Sequence, residues 1–123
     1  MPKKTPATRK PVARVLPLLG VAHLDRGFDY LVEEADSEEV QPGIKVRIRF
    51  NGRLVDAIVL ERWHDSEFGG NLRFIERIIS PFQVYPPQLA RLVDALADRY
   101  GGVRSDIIRS AIPPRHAKAE ESD

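Results

Sequence analysis

Arg26-Gly27-Phe28-Asp29-Tyr30 sets a carboxylate between two aromatic rings, just after an arginine. Aromatic faces stack on any nucleobase, because every base has a π-surface. Asp29 sits poorly beside a nucleic acid, since a carboxylate repels a phosphate chain. Further along, Lys45, Arg47 and Arg49 occupy alternate positions, with Arg53 just beyond. Such a row can track phosphates, and it is also what the solvent face of an antiparallel pair requires. The alternation fits both readings.

Catalytic chemistry finds little to use. No Gly-Lys pair occurs, so there is no phosphate-binding loop of the G-x-x-x-x-G-K-[ST] kind. His23, His64 and His116 are far apart and lack ligand spacing, and no serine stands in a nucleophile-elbow context. With no cysteine, disulfides and thiolate metal sites are excluded. The expectation is a chain that is not an enzyme, with no cofactor and no metal.

The chain has 123 residues, 42% of them hydrophobic, enough for one domain with a real core. Charged residues reach 30% but nearly cancel at +1, so the distribution of charge, not its sum, must indicate partners. No apolar run approaches the roughly 20 residues that cross a bilayer. The basic start lacks the apolar stretch of a signal peptide. A cytoplasmic monomer without membrane contact is expected.

Residues 1–11 carry Lys3, Lys4, Arg9 and Lys10 and no acid, and read as a disordered basic arm. Val12 to Leu19 is a β-rich run ended by Gly20, and Gly27 to Glu34 reads as a second strand. An acidic turn-forming stretch then closes on Pro42-Gly43. Ile44, Val46, Ile48 and Phe50 alternate with the three cations, the period of a half-buried strand. Asn51-Gly52 is a preferred hairpin turn, and the return strand spans Arg53 to Trp63. Leu72 to Ser80 predicts one more strand.

From Pro86 the period lengthens. Leu89, Leu92, Val93, Leu96 and Tyr100 fall at helical spacing, with prolines at the start and Gly101-Gly102 at the end. Ser105 is placed to cap a short second helix that Pro113-Pro114 stops. The expected fold is α+β: a small β-rich part over 12–80, a curled sheet or barrel-like, then two C-terminal helices within 86–112. Residues 12–114 form the domain, and 115–123 read as a frayed end.

The runs VARVLPLLGVAHLDRGFDYLV, VQPGIKVRIRFNGRLVDAIVLE and NLRFIERIIS, followed by YPPQLARLVDALADRYGGVRSDIIRSAIPP, resemble the N-terminal region of the primosomal protein N′ (PriA) family of bacterial replication-restart proteins. The resemblance covers about residues 12–114. Its most specific element is Phe-Asp-Tyr after an Arg-x pair, followed by the basic strand and its hairpin.

That resemblance implies a 3′-DNA-end-binding domain, capturing the 3′ end of a nascent strand at stalled forks without reading sequence. It implies that Phe28 and Tyr30 wall a pocket. Asp29 would accept the terminal hydroxyl and repel the phosphate of a continuing strand. A family lysine corresponds to Arg73, and the family's Pro-Phe-Gly turn is replaced here by Arg49-Phe50-Asn51-Gly52, putting Asn51 or Gly52 near the nucleotide. Lys45, Arg47, Arg49 and Arg53 would contact phosphates. The helicase lobes and zinc-binding cysteines of full-length members have no counterpart in these residues, so no ATP hydrolysis or unwinding is expected from this polypeptide alone.

One difficulty is geometric. In a regular strand Phe28 and Tyr30 share a face while Asp29 points away, so all three line one pocket only if a bulge or the main chain intervenes. A second function fits the same residues. The helical segment and the acidic loop 33–39 could dock helicase lobes or other restart proteins, with DNA contact incidental.

Overall fold

The computed structural model describes residues 4–21, 24–66, 72–80 and 82–111. Five strands form one sheet in the order β2-β1-β4-β3-β5, every adjacent pair antiparallel. They are β1 (Val12–Pro17), β2 (Phe28–Leu31), β3 (Lys45–Phe50), β4 (Arg53–Trp63) and β5 (Arg77–Ser80). Two helices follow, α1 (Pro87–Tyr100) and α2 (Arg104–Ala111). The α+β reading holds, as an open sheet and not a closed barrel.

The hairpin forms as its turn residues dictate. Asn51 and Gly52 both take positive φ, 52° and 78°, the twist that joins two right-twisted strands. Val46, Ile48, Val55 and Ala57 then meet across β3 and β4 on one face. The last strand is shorter than its apolar run. Its leading part instead curls the sheet: a parallel bridge joins Leu31 to Phe74, drawing the stretch before β5 onto the edge strand β2.

Curling produces two cores. Inside the curl lie Ala13, Val15, Tyr30, Val46, Ile48, Ala57 and Val59. On the other face Leu16 of β1 and Ile58 of β4 pack with Val93 of α1 and Ile108 of α2. Each fully buried aliphatic contributes about 1.5–3 kcal/mol, so the helices are fixed on the sheet by burial. One irregularity redistributes side chains: Val15 opposes Val59 while Arg14 opposes Glu61, leaving Leu60 of β4 as the extra residue of a bulge. Beyond it Glu61 and Trp63 join Arg14 on the helix-side face.

Residues 4–11, the described part of the expected arm, are held and not free. Ala7 is buried, its N–H donates to the Val32 carbonyl at 2.8 Å, and Pro6 bridges Glu33. Arg62 fastens the stretch by donating to the carbonyls of Lys10 at 2.8 Å and Val40 at 2.6 Å. The expected frayed end lies outside the described residues.

Ser105 does not cap α2. The helix starts one residue earlier, and its free N–H groups are taken by Asp25, 79 residues away in sequence: Arg104 N–H donates to Oδ2 at 2.8 Å and Ser105 N–H to Oδ1 at 2.9 Å. Ser105 is buried, and its hydroxyl accepts the Gly20 N–H at 2.9 Å. Capping from a distant loop is invisible to local sequence signals. Here it ties α2 to the loop that leads into β2.

Candidate nucleic-acid interface

β2 is a regular strand, so its side chains divide as the alternation requires. Phe28 and Tyr30 turn into the curl. Phe28 is half-buried and meets Phe50 edge to face, ring centroids 4.9 Å apart. This contact sets the end of β2 beside the hairpin tip. Tyr30 is buried, and its hydroxyl donates to the Arg49 carbonyl at 2.8 Å. Burial raises the Tyr30 pKa above its usual value, and the nearby Arg73 guanidinium opposes that rise.

Asp29 points to the other face. Its side chain has 0% exposure, with Oδ1 3.1 Å from Arg14 Nε and Oδ2 accepting the Ser66 hydroxyl at 2.6 Å. The bulge that alters face membership is in β4, not β2, so it does not bring Asp29 round to the aromatics. It brings Glu61 and Trp63 to Arg14 instead: Glu61 Oε2 is 3.8 Å away, and the Arg14 guanidinium lies over the Trp63 ring at 5.7 Å. Gly27 permits this packing, since a Cβ there would stand 2.5 Å from Arg14 Cγ.

The main chain at Asp29 faces a different way again. Leu31 gives its N–H to the Arg73 carbonyl at 2.8 Å and accepts from Ile75 N–H at 3.0 Å, on the side away from β1. Antiparallel alternation turns the N–H and C=O of Asp29 to that same outer edge. The edge there lies between the aromatic pair and Arg73.

Charge divides unevenly over the predicted residues. Lys45 Nζ is 3.4 Å and Arg47 Nε 3.2 Å from the Asp56 carboxylate, and Arg49 Nε is 3.5 Å from Glu76. The row is therefore partly neutralised, by Asp56 of β4 and by Glu76 just before β5, which the alternation alone does not reveal. Arg49 also donates to the Gly52 carbonyl at 3.3 Å. Arg53 pairs with Phe50 in register, so it shares the face of Phe50 and not that of the basic row.

Among the described residues, Arg26, Arg53 and Arg73 have no acidic partner, and each neighbours the aromatic group. Arg26 was missed by sequence reasoning. Its guanidinium lies over the Phe28 ring at 4.5 Å, and its position just before Gly27-Phe28 was the only available signal. The structure thus gathers Phe28, Tyr30, Phe50, Arg26, Arg53, Arg73 and the Asn51-Gly52 turn at one mouth of the curl. The Asp29 carboxylate lies behind it, and Lys45 and Arg47 lie further along β3. Among the described residues no cluster could hold a metal ion, and no helix is long and apolar enough to cross a membrane. His23 and His116 lie outside those residues, and His64 is exposed.

An open curled sheet that offers aromatic rings framed by arginines, with helices packed behind it, defines a small DNA-binding module. The chain belongs to the 3'DNA-binding domain (3'BD) family, whose model matches residues 14–113. It is similar to the probable replication restart protein PriA of Mycobacterium tuberculosis (strain CDC 1551 / Oshkosh), 52% identical over 103 residues that make up 84% of this chain. The corresponding protein of Mycobacterium leprae (strain TN) is 50% identical over 103 residues. The chain spans 16% of the length of these relatives.

Proposed function

We propose that this domain captures the 3′ end of a nascent DNA strand at stalled replication forks, independently of sequence, as a step in replication restart. The observation that carries the reading is the mouth formed by Phe28, Phe50 and Tyr30, open to the β2 edge and framed by three arginines that have no acidic partner among the described residues. A terminal base stacks against Phe28, and the Asp29 main chain supplies a donor and an acceptor to its edge. Arg26, Arg53 and Arg73 take the adjoining phosphate. Contacts of this kind carry little base preference.

End selection is the task of the Asp29 carboxylate, which lies on the far side of β2 from Phe28 and is reached across the open β2 edge once Ser66 gives way. Ser66 already donates a hydroxyl hydrogen bond to it at 2.6 Å, the bond that a 3′-terminal hydroxyl would make in its place. A 3′-phosphate offers no such donor at neutral pH and is repelled by the carboxylate. The domain performs no covalent chemistry in this scheme, so unwinding and ATP hydrolysis are left to other parts of a restart protein.

Fluorescence anisotropy on matched oligonucleotides, ending in a 3′-hydroxyl or a 3′-phosphate at one fixed salt concentration, tests the reading. Tighter binding of the hydroxyl end supports it. Equal binding of both ends would leave general DNA contact and overturn end capture.

A further inference from the structure

A second cationic cluster lies at the far end of β3 from the aromatic mouth, built by elements distant in sequence. Lys45 and Arg47 of β3 share one carboxylate, Asp56. Arg77 of β5 stands directly opposite Arg47 in register, and among the described residues it has no acidic partner. Like charges directly opposed on neighbouring strands are destabilising, and a bound anion relieves them. Arg109 of α2 completes the cluster. With Leu18, Leu19 and Leu54 it lines the same shallow groove as Lys45, Arg47 and Asp56, and among the described residues its acidic neighbour is Asp106, 3.9 Å away and largely exposed. Three cations, Lys45, Arg47 and Arg109, therefore line an apolar floor beside Asp56, with Arg77 next to Arg47 on the same face.

We propose that this groove is a second DNA-backbone site, which takes the phosphodiester chain upstream of the captured end through Lys45, Arg47, Arg77 and Arg109. Planar guanidiniums from a strand and from a helix clasp a phosphate from two sides, while the leucines accept the apolar edge of the sugar. Along the strand, Phe50 to Lys45 is five residues, roughly 17 Å. The chain must also pass from the face of Phe50 to that of the basic row, so the span takes more than the about five steps that ~3.4 Å per step would give. The helices thereby acquire a direct part in DNA binding, and α2 is placed for it by the Asp25 cap. The inference rests on DNA binding by this family, not on end capture.

The test compares the parent chain with the Arg77→Gln/Arg109→Gln double variant on two probes. One is a labelled single-stranded 15-mer with a 3′-hydroxyl, followed by anisotropy across a salt series. The other is a 3′-hydroxyl dinucleotide, followed by competition. The double variant is expected to bind the 15-mer about tenfold more weakly, with a log–log salt slope shallower by about 1.4, two lost contacts at ~0.7 each. It should bind the dinucleotide as the parent does and keep the parent's ratio of 3′-hydroxyl to 3′-phosphate affinity. As a second arm, Asp56→Asn removes the shared carboxylate and is expected to tighten 15-mer binding several-fold. An unchanged salt slope in the double variant, or equal losses on the 15-mer and the dinucleotide, would overturn the site. A parent that binds both ends equally would refute end capture alone, since the salt slope still reads this groove.

Discussion

Arg14 and Asp29 face each other directly across β1 and β2, the guanidinium Nε 3.1 Å from a carboxylate with no solvent exposure. The pair offsets part of the charge of Asp29 through Oδ1, while Oδ2 accepts the Ser66 hydroxyl. A residue that the alternation of β2 turns away from the aromatics is thus held rigidly behind them. Asp29→Ala removes the carboxylate 3.1 Å from Arg14 Nε and is expected to cost about 2 kcal/mol, less than the loss of a fully buried pair because Arg14 keeps some exposure and Glu61 stays 3.8 Å away. Urea unfolding measures that cost. Binding should lose its preference for the 3′-hydroxyl over the 3′-phosphate while general DNA affinity falls less. Asp29→Asn, which keeps shape and one acceptor, should fold better and tolerate the 3′-phosphate.

Gly27 controls the same pair through space. A methyl group there would lie 2.5 Å from Arg14 Cγ and 2.7 Å from Cδ, so the arginine must move. Gly27→Ala is expected to lower stability by about 1–3 kcal/mol, the usual cost of overpacking. End discrimination should weaken in parallel, because the displaced guanidinium no longer fixes Asp29. Thermal unfolding together with the two-ended anisotropy comparison checks both effects. Full discrimination in a clearly destabilised variant would separate Arg14 placement from end selection.

Asp25 joins the helices to the binding face. Its two oxygens receive the Arg104 and Ser105 N–H groups, and the next residue is Arg26, stacked on Phe28. Removing a helix cap costs about 1 kcal/mol. Asp25→Ala should show at least that loss in urea and also weaken oligonucleotide binding, since the loop carrying Arg26 is released. Asp25→Asn keeps one acceptor oxygen and should restore part of each. A stability loss with unchanged binding would confine Asp25 to a structural role.

Alkaline stability follows from two buried phenols. Burial raises the pKa of both Tyr30 and Tyr85 above the ordinary value of 10.0. Each is therefore favoured as the neutral phenol in the folded state. Their contribution is fully present below about pH 10 and is lost as the pH climbs through the raised folded values. Stability should thus fall above pH 10, and Tyr30→Phe should flatten the fall while losing the hydrogen bond to the Arg49 carbonyl, about 1 kcal/mol. Denaturant midpoints between pH 8 and pH 11 give the sign directly.

Local pattern was enough for the hairpin, because Asn51-Gly52 and a strict period of two leave one register that buries Val46 and Ile48. It was enough for α1, whose prolines and Gly101 mark both ends. It also stated the problem of Phe-Asp-Tyr correctly: a regular strand cannot turn all three side chains one way. Tertiary structure decided the rest. That Asp29 meets Arg14 depends on the pairing of β2 with β1, and that Glu61 and Trp63 join them depends on a bulge at Leu60. The cation that lies over Phe28 is fixed by a loop anchored to a helix 79 residues away, and the basic row is partly neutralised by Asp56 of β4 and by Glu76 just before β5. Periodicity reports which face a side chain takes on its own element. Which charges meet across elements is set by strand order, register and helix docking, and those follow from burying the whole chain at once.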